Sequence, residues 1–344
     1  MTANILEIGR FCLFKRVYPE TTTWLHPGDT PPTGSEYSLL PPFVTRAAIP
    51  SIKRRLRDRD YQLIVYFPPG LSPHTASGLS FRSVLKRIGR RRSSLRATVS
   101  ALLREAVGIP LVVLDMDDAE SLDPANISLL DHCRAYFKRE MPDDHAKLFH
   151  GARGAPGFRS WSPLSLECRL AKLRPISLGL PKERIQSAPP VPHEKTVDVF
   201  FAGKVKKCLV REQGLSFLRS LASKGFIVTT AEGLSLEEYL QRCARAWLVW
   251  SPEGMGRDCF RHYEAPLCWS VPVINHAPIL RYRPLIDGTH CFYYDAKGDN
   301  LEQVIVRALS DKTRLLSMAE EGRAYVLAYH THEALCRYVL SEVI

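Results

Sequence analysis

The chain lacks any apolar run near the ~20 residues that a helix needs to cross a bilayer, which excludes an α-helical membrane span. Its first twenty residues, MTANILEIGRFCLFKRVYPE, break their apolar positions with charges. They have no apolar h-region and no small-residue cleavage site, so no secretory signal is expected. Cys-x-x-Cys does not occur, and the nine cysteines, Cys133, Cys168, Cys208 and Cys243 among them, are scattered. Without paired spacing or an export signal they read as reduced, mostly buried thiols of a cytoplasmic protein, and no metal site is expected. The full Gly-x-Gly-x-x-Gly dinucleotide fingerprint is absent as well. So is any internal repeat beyond a similarity of pattern between the two halves.

Acidic residues are scarce in one place. Residues 53–104 hold 13 basic and 2 acidic residues, a net +11 that equals the charge of the whole chain. Residues 191–344 are nearly balanced, with 19 Lys+Arg against 18 Asp+Glu. The excess therefore belongs to SIKRRLRDR and SVLKRIGRRRSSLR, which include Arg90, Arg91, Arg92 and Arg96. Such a segment suits phosphates, anionic lipid headgroups or nucleic acid, or is a solvated helical face. Aromatic interleaving of the RNA-binding type is missing from it, which argues against nucleic acid.

At 344 residues, 45% hydrophobic and 24% charged, the chain is long and apolar enough for two cored domains. YQLIVYFPPG, residues 61–70, reads as a strand ending in a turn, and a basic helical pattern follows over about 81–107. GIPLVVLDMDD then reads as a buried strand with Asp115, Asp117 and Asp118 at its carboxyl end, completing a βαβ unit. AYFKREM and LRPISLGLP suggest two more short strands, and residues 141–165 a long surface loop. The proline-rich QSAPPVPHEK, residues 186–195, is read as a linker. After it the alternation restarts, with strands at VDVFFAGK, FIVTT, AWLVWS, VPVI and HCFYYD. Helices are expected at 211–224, 236–244 and 300–309, and from Lys312 onward in two pieces. The expected class is α/β, two Rossmann-like doubly wound domains facing a cleft, with an N-terminal domain of 1–190 and a C-terminal domain of 191–330. Residues 331–344 are expected to form a helix that crosses back to the first domain.

The most informative stretch is SPEGMGRDCFRHYEAPLCWSVPVINH, residues 251–276. Ser251 ends a buried strand, so PEGMGRD turns at the carboxyl edge of a parallel sheet, where ligands of open α/β sheets bind. Asp258 is expected to cap the next helix, leaving N–H groups free at its first turn. Gly254 and Gly256 let backbone approach an anion there. Arg261 suits phosphate, and Glu264, three residues on, suits the paired hydroxyls of a sugar. Phosphate plus diol describes a nucleotide. The alternative is that Arg261 and Glu264 pair with each other and the glycines only make the turn. Pro266 shifts the expected helix start toward Tyr263, because proline is best tolerated in a first turn.

The order of features over residues 197–330 resembles the donor-binding domain of GT-B glycosyltransferases. It is most like the family-1-like group, with its spore-coat and exostosin-like members. The resemblance rests on the strand before Ser251, the glycine loop, the Arg-x-x-Glu-Ala helix, Val-Pro-Val-Ile, and the later DG and YD pairs. It implies that Glu264 contacts the donor ribose and that Gly254 to Arg261 face the diphosphate. Lys204 or Arg211, after the domain's first strand, would neutralise the leaving diphosphate. Many retaining members carry two glutamates eight positions apart, whereas Glu253 and Glu264 are eleven apart here.

The reading is a metal-independent transferase with no cofactor, moving a sugar from a nucleotide-sugar to a glycan or lipid-linked acceptor in cell-surface polysaccharide synthesis. A cleft closing over both substrates would exclude water. If the reaction inverts, a base on the N-terminal domain must take the acceptor proton. Candidates are Asp117, Asp115 and Glu140, with Asp118 and His26 behind them, and His262 on the donor side. The competing readings are an inactive anion-, membrane- or nucleic-acid-binding protein and a nucleotide-sugar epimerase of the same fold. The basic segment adds an expectation of peripheral attachment to the inner membrane face.

Overall fold

A computed structural model describes residues 3–26, 41–69, 97–154, 162–205 and 208–343. The chain divides into one compact unit of Met1–Pro175 with Cys336–Ile344, and a second of Ile176–Leu335. The crossing point lies ahead of the proline-rich stretch at 186–195, which belongs to the second unit.

The first unit carries a six-stranded sheet. Its strands are β1 (Ile5–Ile8), β2 (Thr22–Leu25), β3 (Leu63–Tyr66), β4 (Leu111–Asp115), β5 (Ala135–Lys138) and β6 (Leu173–Pro175). They lie in the order β2-β1-β3-β4-β5-β6, every neighbouring pair parallel. β3 to β6 answer to the four expected strands, although LRPISLGLP yields only three residues of strand before the chain leaves the unit. β1, β2 and the helix Ile49–Arg57 were not anticipated. Of the basic helix expected over 81–107, residues 97–107 are described; 97–105 are helical and bury Val99 and Leu102. The expected surface loop instead contains a 3-10 stretch, His145–Gly154, and the start of the helix Pro163–Leu170. At the far end of the chain, Tyr338 packs edge-on against Phe137 and donates to Pro175 O, and Arg174 pairs with Glu342.

The second unit carries a five-stranded parallel sheet of β7 (Val197–Ala202), β8 (Val228–Ala231), β9 (Ala246–Ser251), β10 (Val271–Asn275) and β11 (Phe292–Tyr294). The order is β11-β10-β9-β7-β8. Period-2 geometry sorts each strand between two cores. Val199, Phe201, Leu248, Trp250, Val271 and Val273 face the helices Leu209–Ser223, Leu301–Leu309 and Lys312–Tyr329. Phe200, Val249 and Ile274 face the helices Leu236–Ala244 and Phe260–Leu267. Burial on both faces is why these strands read as unbroken apolar runs. Contact with the sheet is close at Gly214, where an added Cβ would lie 2.1 Å from a ring carbon of the fully buried Trp250.

Both sheets reverse direction once. In the first, the chain goes from β1 outward to β2 and returns to β3 on the other side of β1. In the second, it goes from β7 to β8 and returns to β9. The crevices beyond the carboxyl ends of β1/β3 and β7/β9 are therefore the topological switch points.

Candidate functional site

The loop after β9 is fixed before it reaches its helix. Glu253 N donates to Asn275 Oδ1 at 2.7 Å, and Asn275 Nδ2 donates back to Glu253 Oε2 at 3.0 Å, tying the loop to β10. Gly254 N donates to Gly256 O at 2.9 Å, closing the turn. The helix then runs Phe260–Leu267, with Cys259 at its N-cap offering no side-chain acceptor. Asp258 is not the cap. Its carboxylate accepts from Leu178 N at 3.0 Å and from Tyr263 Oη at 2.5 Å, a packing role for a buried acid. Nor does the helix wait for Tyr263. Pro266 sits in its last turn, where the missing N–H forfeits only the bond to His262 O.

Two guanidinium groups flank this helix start. Arg261, the second residue of the helix, donates through Nη2 to Ala202 O at 3.0 Å and through Nη1 to Pro252 O at 3.2 Å. Its Nε is buried without a hydrogen-bond partner. Arg211, near the start of Leu209–Ser223, donates through Nε to Glu253 O at 2.9 Å and through Nη1 to Lys204 O at 2.7 Å. They bridge the carboxyl ends of β7 and β9 at the switch point. The absence of a side chain at two glycines leaves room for the guanidinium tips. A Cβ at Gly203, where φ is +154°, would lie 2.9 Å from Arg261 Nη2, and one at Gly254 would lie 2.6 Å from Arg211 Nη2. Burial, and then the neighbouring Arg261, lower the pKa of Arg211. Two crowded cations beside an uncapped helix N-terminus form an electropositive cradle suited to an anion. Lys204 follows β7 with its side chain exposed.

Glu264 lies one turn further along the same helix, 3% exposed. It does not pair with Arg261. Its Oε1 is held by Arg184 Nη1, from the helix Lys182–Ser187 of the same unit. The Arg184 guanidinium also covers the Phe260 ring, 4.3 Å from its centroid. His262 is a packing residue. Its Nε2 faces Arg257 O at 3.0 Å, so that nitrogen carries the proton, and Nδ1 accepts from Ser251 Oγ at 2.7 Å. Burial, with Arg281 next in effect, pushes its pKa well below the usual imidazole value, so the ring is neutral near pH 7.

The acidic candidates of the first unit lie at the carboxyl ends of β4 and β5. Asp115 is buried and accepts from Tyr136 Oη at 2.9 Å, from Asp117 N at 3.1 Å and, weakly, from Lys138 Nζ at 3.4 Å. Asp118 pairs with Arg139, which also lies 3.2 Å from the fully buried Glu140. Asp117 is half-buried. His26 directly follows β2 among aromatic rings, edge-on to Trp24 at 5.5 Å. Arg90, Arg91, Arg92 and Arg96 lie outside the described residues.

Sequence reasoning missed four participants. Arg184 is 80 positions from Glu264, in a segment assigned to the other domain, and no local spacing connects them. Asn275 and Ser251 were visible only as strand ends. Glu7, in the middle of β1, is fully buried beside the first unit's switch point and accepts from the N–H groups of Leu13, Phe14 and Lys15 at 2.7, 2.9 and 2.8 Å. Its signal was a lone acid inside the apolar run ILEI. Next to it Gly9, with φ +144°, leaves no room for a side chain, since a Cβ would lie 2.6 Å from that of Phe67.

No protein-family profile matches the chain, and no curated protein matches it. Solved structures do. An α-glucosyltransferase in complex with UDP and a 13-mer DNA is 10% identical, covers 98% of each chain and superposes with a TM-score of 0.55. HepE of Anabaena, in complex with UDP and glucose, is 14% identical over 98% of this chain and 99% of its own, with a TM-score of 0.52. The sucrose-phosphate synthase of Thermosynechococcus elongatus is 11% identical over 98% of each chain, with a TM-score of 0.55. At such identities the likeness is one of fold, and the fold it shows is GT-B, the two-sheet α/β architecture of these glycosyltransferases.

Proposed function

We propose that the protein is a glycosyltransferase that takes its sugar from a nucleotide-sugar held by the second unit. The observation that carries this is the pair Arg211 and Arg261 astride the uncapped start of Phe260–Leu267, at the switch point between β7 and β9. A diphosphate seated there meets two guanidiniums and helix N–H groups, which stabilise the charge that grows on the leaving group. Lys204, exposed beside them, adds a third cation within the reach of a flexible side chain. Glu264, one turn along, accepts a ribose hydroxyl. Several structures of this fold hold UDP, which makes uridine nucleotides the first donors to test.

Neutralisation by Lys, Arg and helix dipole removes the need for a divalent cation at the diphosphate. The first unit takes the acceptor, a glycan or a lipid-linked one, with the basic segment around Arg90, Arg91, Arg92 and Arg96 on a polyanionic acceptor or the inner membrane face. Among the described residues no helix is long and apolar enough to cross a membrane, so attachment would be peripheral. If transfer inverts, Asp117 is the base to test first. Asp115 and Glu140 are buried in ion pairs, and removing a proton acceptor from such a network costs it its compensation.

The test is a thermal-shift screen of nucleotide-sugars, followed by hydrolysis and transfer assays with the best binder. A donor that stabilises the protein and is turned over supports the reading. If none of the common uridine, guanosine, adenosine, thymidine or cytidine diphosphate sugars shifts the melting temperature or is cleaved, the reading is wrong.

A further inference from the structure

We infer that Arg184 is a positioning residue for the donor ribose, acting through Glu264. This deepens the proposed function and rests on it. Three observations converge. Glu264 is 3% exposed, and a carboxylate buried to that degree needs a compensating charge. Arg184 supplies it, bonding Oε1 through Nη1. The Arg184 side chain is itself 18% exposed, and its guanidinium carbon stands over the Phe260 ring, 4.3 Å from the centroid. The cation–π contact confines the guanidinium, and the guanidinium holds the carboxylate.

The consequence is chemical. With Oε1 held by Arg184, Oε2 is the oxygen left to accept from a ligand hydroxyl. Phe260 is the first residue of the helix whose N-terminus forms the diphosphate cradle, so this one pair sets the ribose acceptor in register with the phosphate donors. Arg184 belongs to Lys182–Ser187, a separate helix that reaches the site from earlier in the chain. It needs no contact with the nucleotide. Its part is to hold the acceptor where a diol can find it, at a fixed distance from Arg261, which stands three residues before Glu264.

The experiment is calorimetric titration of the full chain with UDP and with its 2′,3′-dideoxy analogue. Wild type, Arg184→Gln, Arg184→Lys, Glu264→Gln and the double variant Arg184→Gln/Glu264→Gln are compared. Arg184→Gln should weaken UDP about ten-fold, the worth of one charge-assisted hydrogen bond. The loss should vanish for the dideoxy ligand and should not add to that of Glu264→Gln. Arg184→Lys keeps the charge without the guanidinium and should recover part of the affinity. A merely structural role would weaken both ligands alike. Equal losses for UDP and the dideoxy ligand, or additive losses in the double variant, overturn the inference while leaving the donor site in place. Unchanged UDP binding in Arg184→Gln overturns it too. If wild type binds no nucleoside diphosphate, the proposed function falls and takes this inference with it. Should Arg184→Gln unfold, Arg184→Lys alone decides, by whether its loss depends on the ribose hydroxyls.

Discussion

Single residues show how a side chain can look chemical and be structural, or the reverse. His262 sits in the most informative stretch of the sequence, yet both its nitrogens are committed to Ser251 and Arg257. Glu7 drew no attention, yet its carboxyl is fully buried in the middle of β1. Burial pushes its carboxyl up from 4.5 to about 7, against the opposing pull of three backbone N–H donors. Between those values the unfolded chain gives up a proton that the folded chain keeps. The stability contributed by Glu7 is therefore fully present below about 4.5, falls on the order of 1.4 kcal/mol per pH unit through the window, and is gone above about 7. Urea unfolding of wild type and Glu7→Gln from pH 4 to pH 8 reads this directly. The difference between the two midpoints should drift steadily against wild type as pH rises. Parallel curves would show that Glu7 ionises normally.

At the scale of elements, helix packing on the second sheet sets a sharp constraint. Gly214 lies where a methyl group would meet the Trp250 ring at 2.1 Å. Gly214→Ala should thus lower stability by about 1–3 kcal/mol through overpacking, despite the better helix propensity of alanine. A urea midpoint equal to wild type would mean that the helix Leu209–Ser223 can shift without cost. Elements of the second sheet were legible because β9 and β10 are buried on both faces and end in polar or glycine-rich turns. AWLVWS matches β9 residue for residue, and Leu236–Ala244 matches its helix, which opens with a Ser235–Glu238 capping box. β1 hid because Glu7 interrupts its four residues, and β2, TTWL, because threonines dilute it. The helix Ile49–Arg57 hid because it runs into the basic segment and fully buries just two of its residues, Ile52 and Leu56. The glycine loop and Arg261 could be read from local spacing. Arg184 could not, because its link to Glu264 exists only after folding.

At the scale of the whole molecule, charge and chemistry divide along the chain. The net +11 within residues 53–104 leaves the remainder neutral. If those arginines meet an anionic surface, each contributes about 1 kcal/mol, screened by salt. Changing Arg90, Arg91, Arg92 and Arg96 to Glu should abolish co-sedimentation with anionic vesicles at low salt while leaving nucleotide binding unchanged. Wild type that ignores both vesicles and soluble polyanions would reduce the segment to a solvated face. Transfer should also persist in EDTA, because the proposed cradle neutralises diphosphate with guanidiniums and backbone. Loss of turnover in chelator with rescue by Mg²⁺ or Mn²⁺ would count against that cradle.

The central claim is that Arg211 and Arg261 bind the donor diphosphate. Titration calorimetry of the full chain with UDP, in wild type, Arg211→Ala and Arg261→Ala, tests it most directly. Each lost charge-assisted contact is worth about 1.5–3 kcal/mol, so each variant should bind at least about ten-fold more weakly while melting as a folded protein. UDP affinity unchanged in both folded variants would place the diphosphate elsewhere and contradict the account.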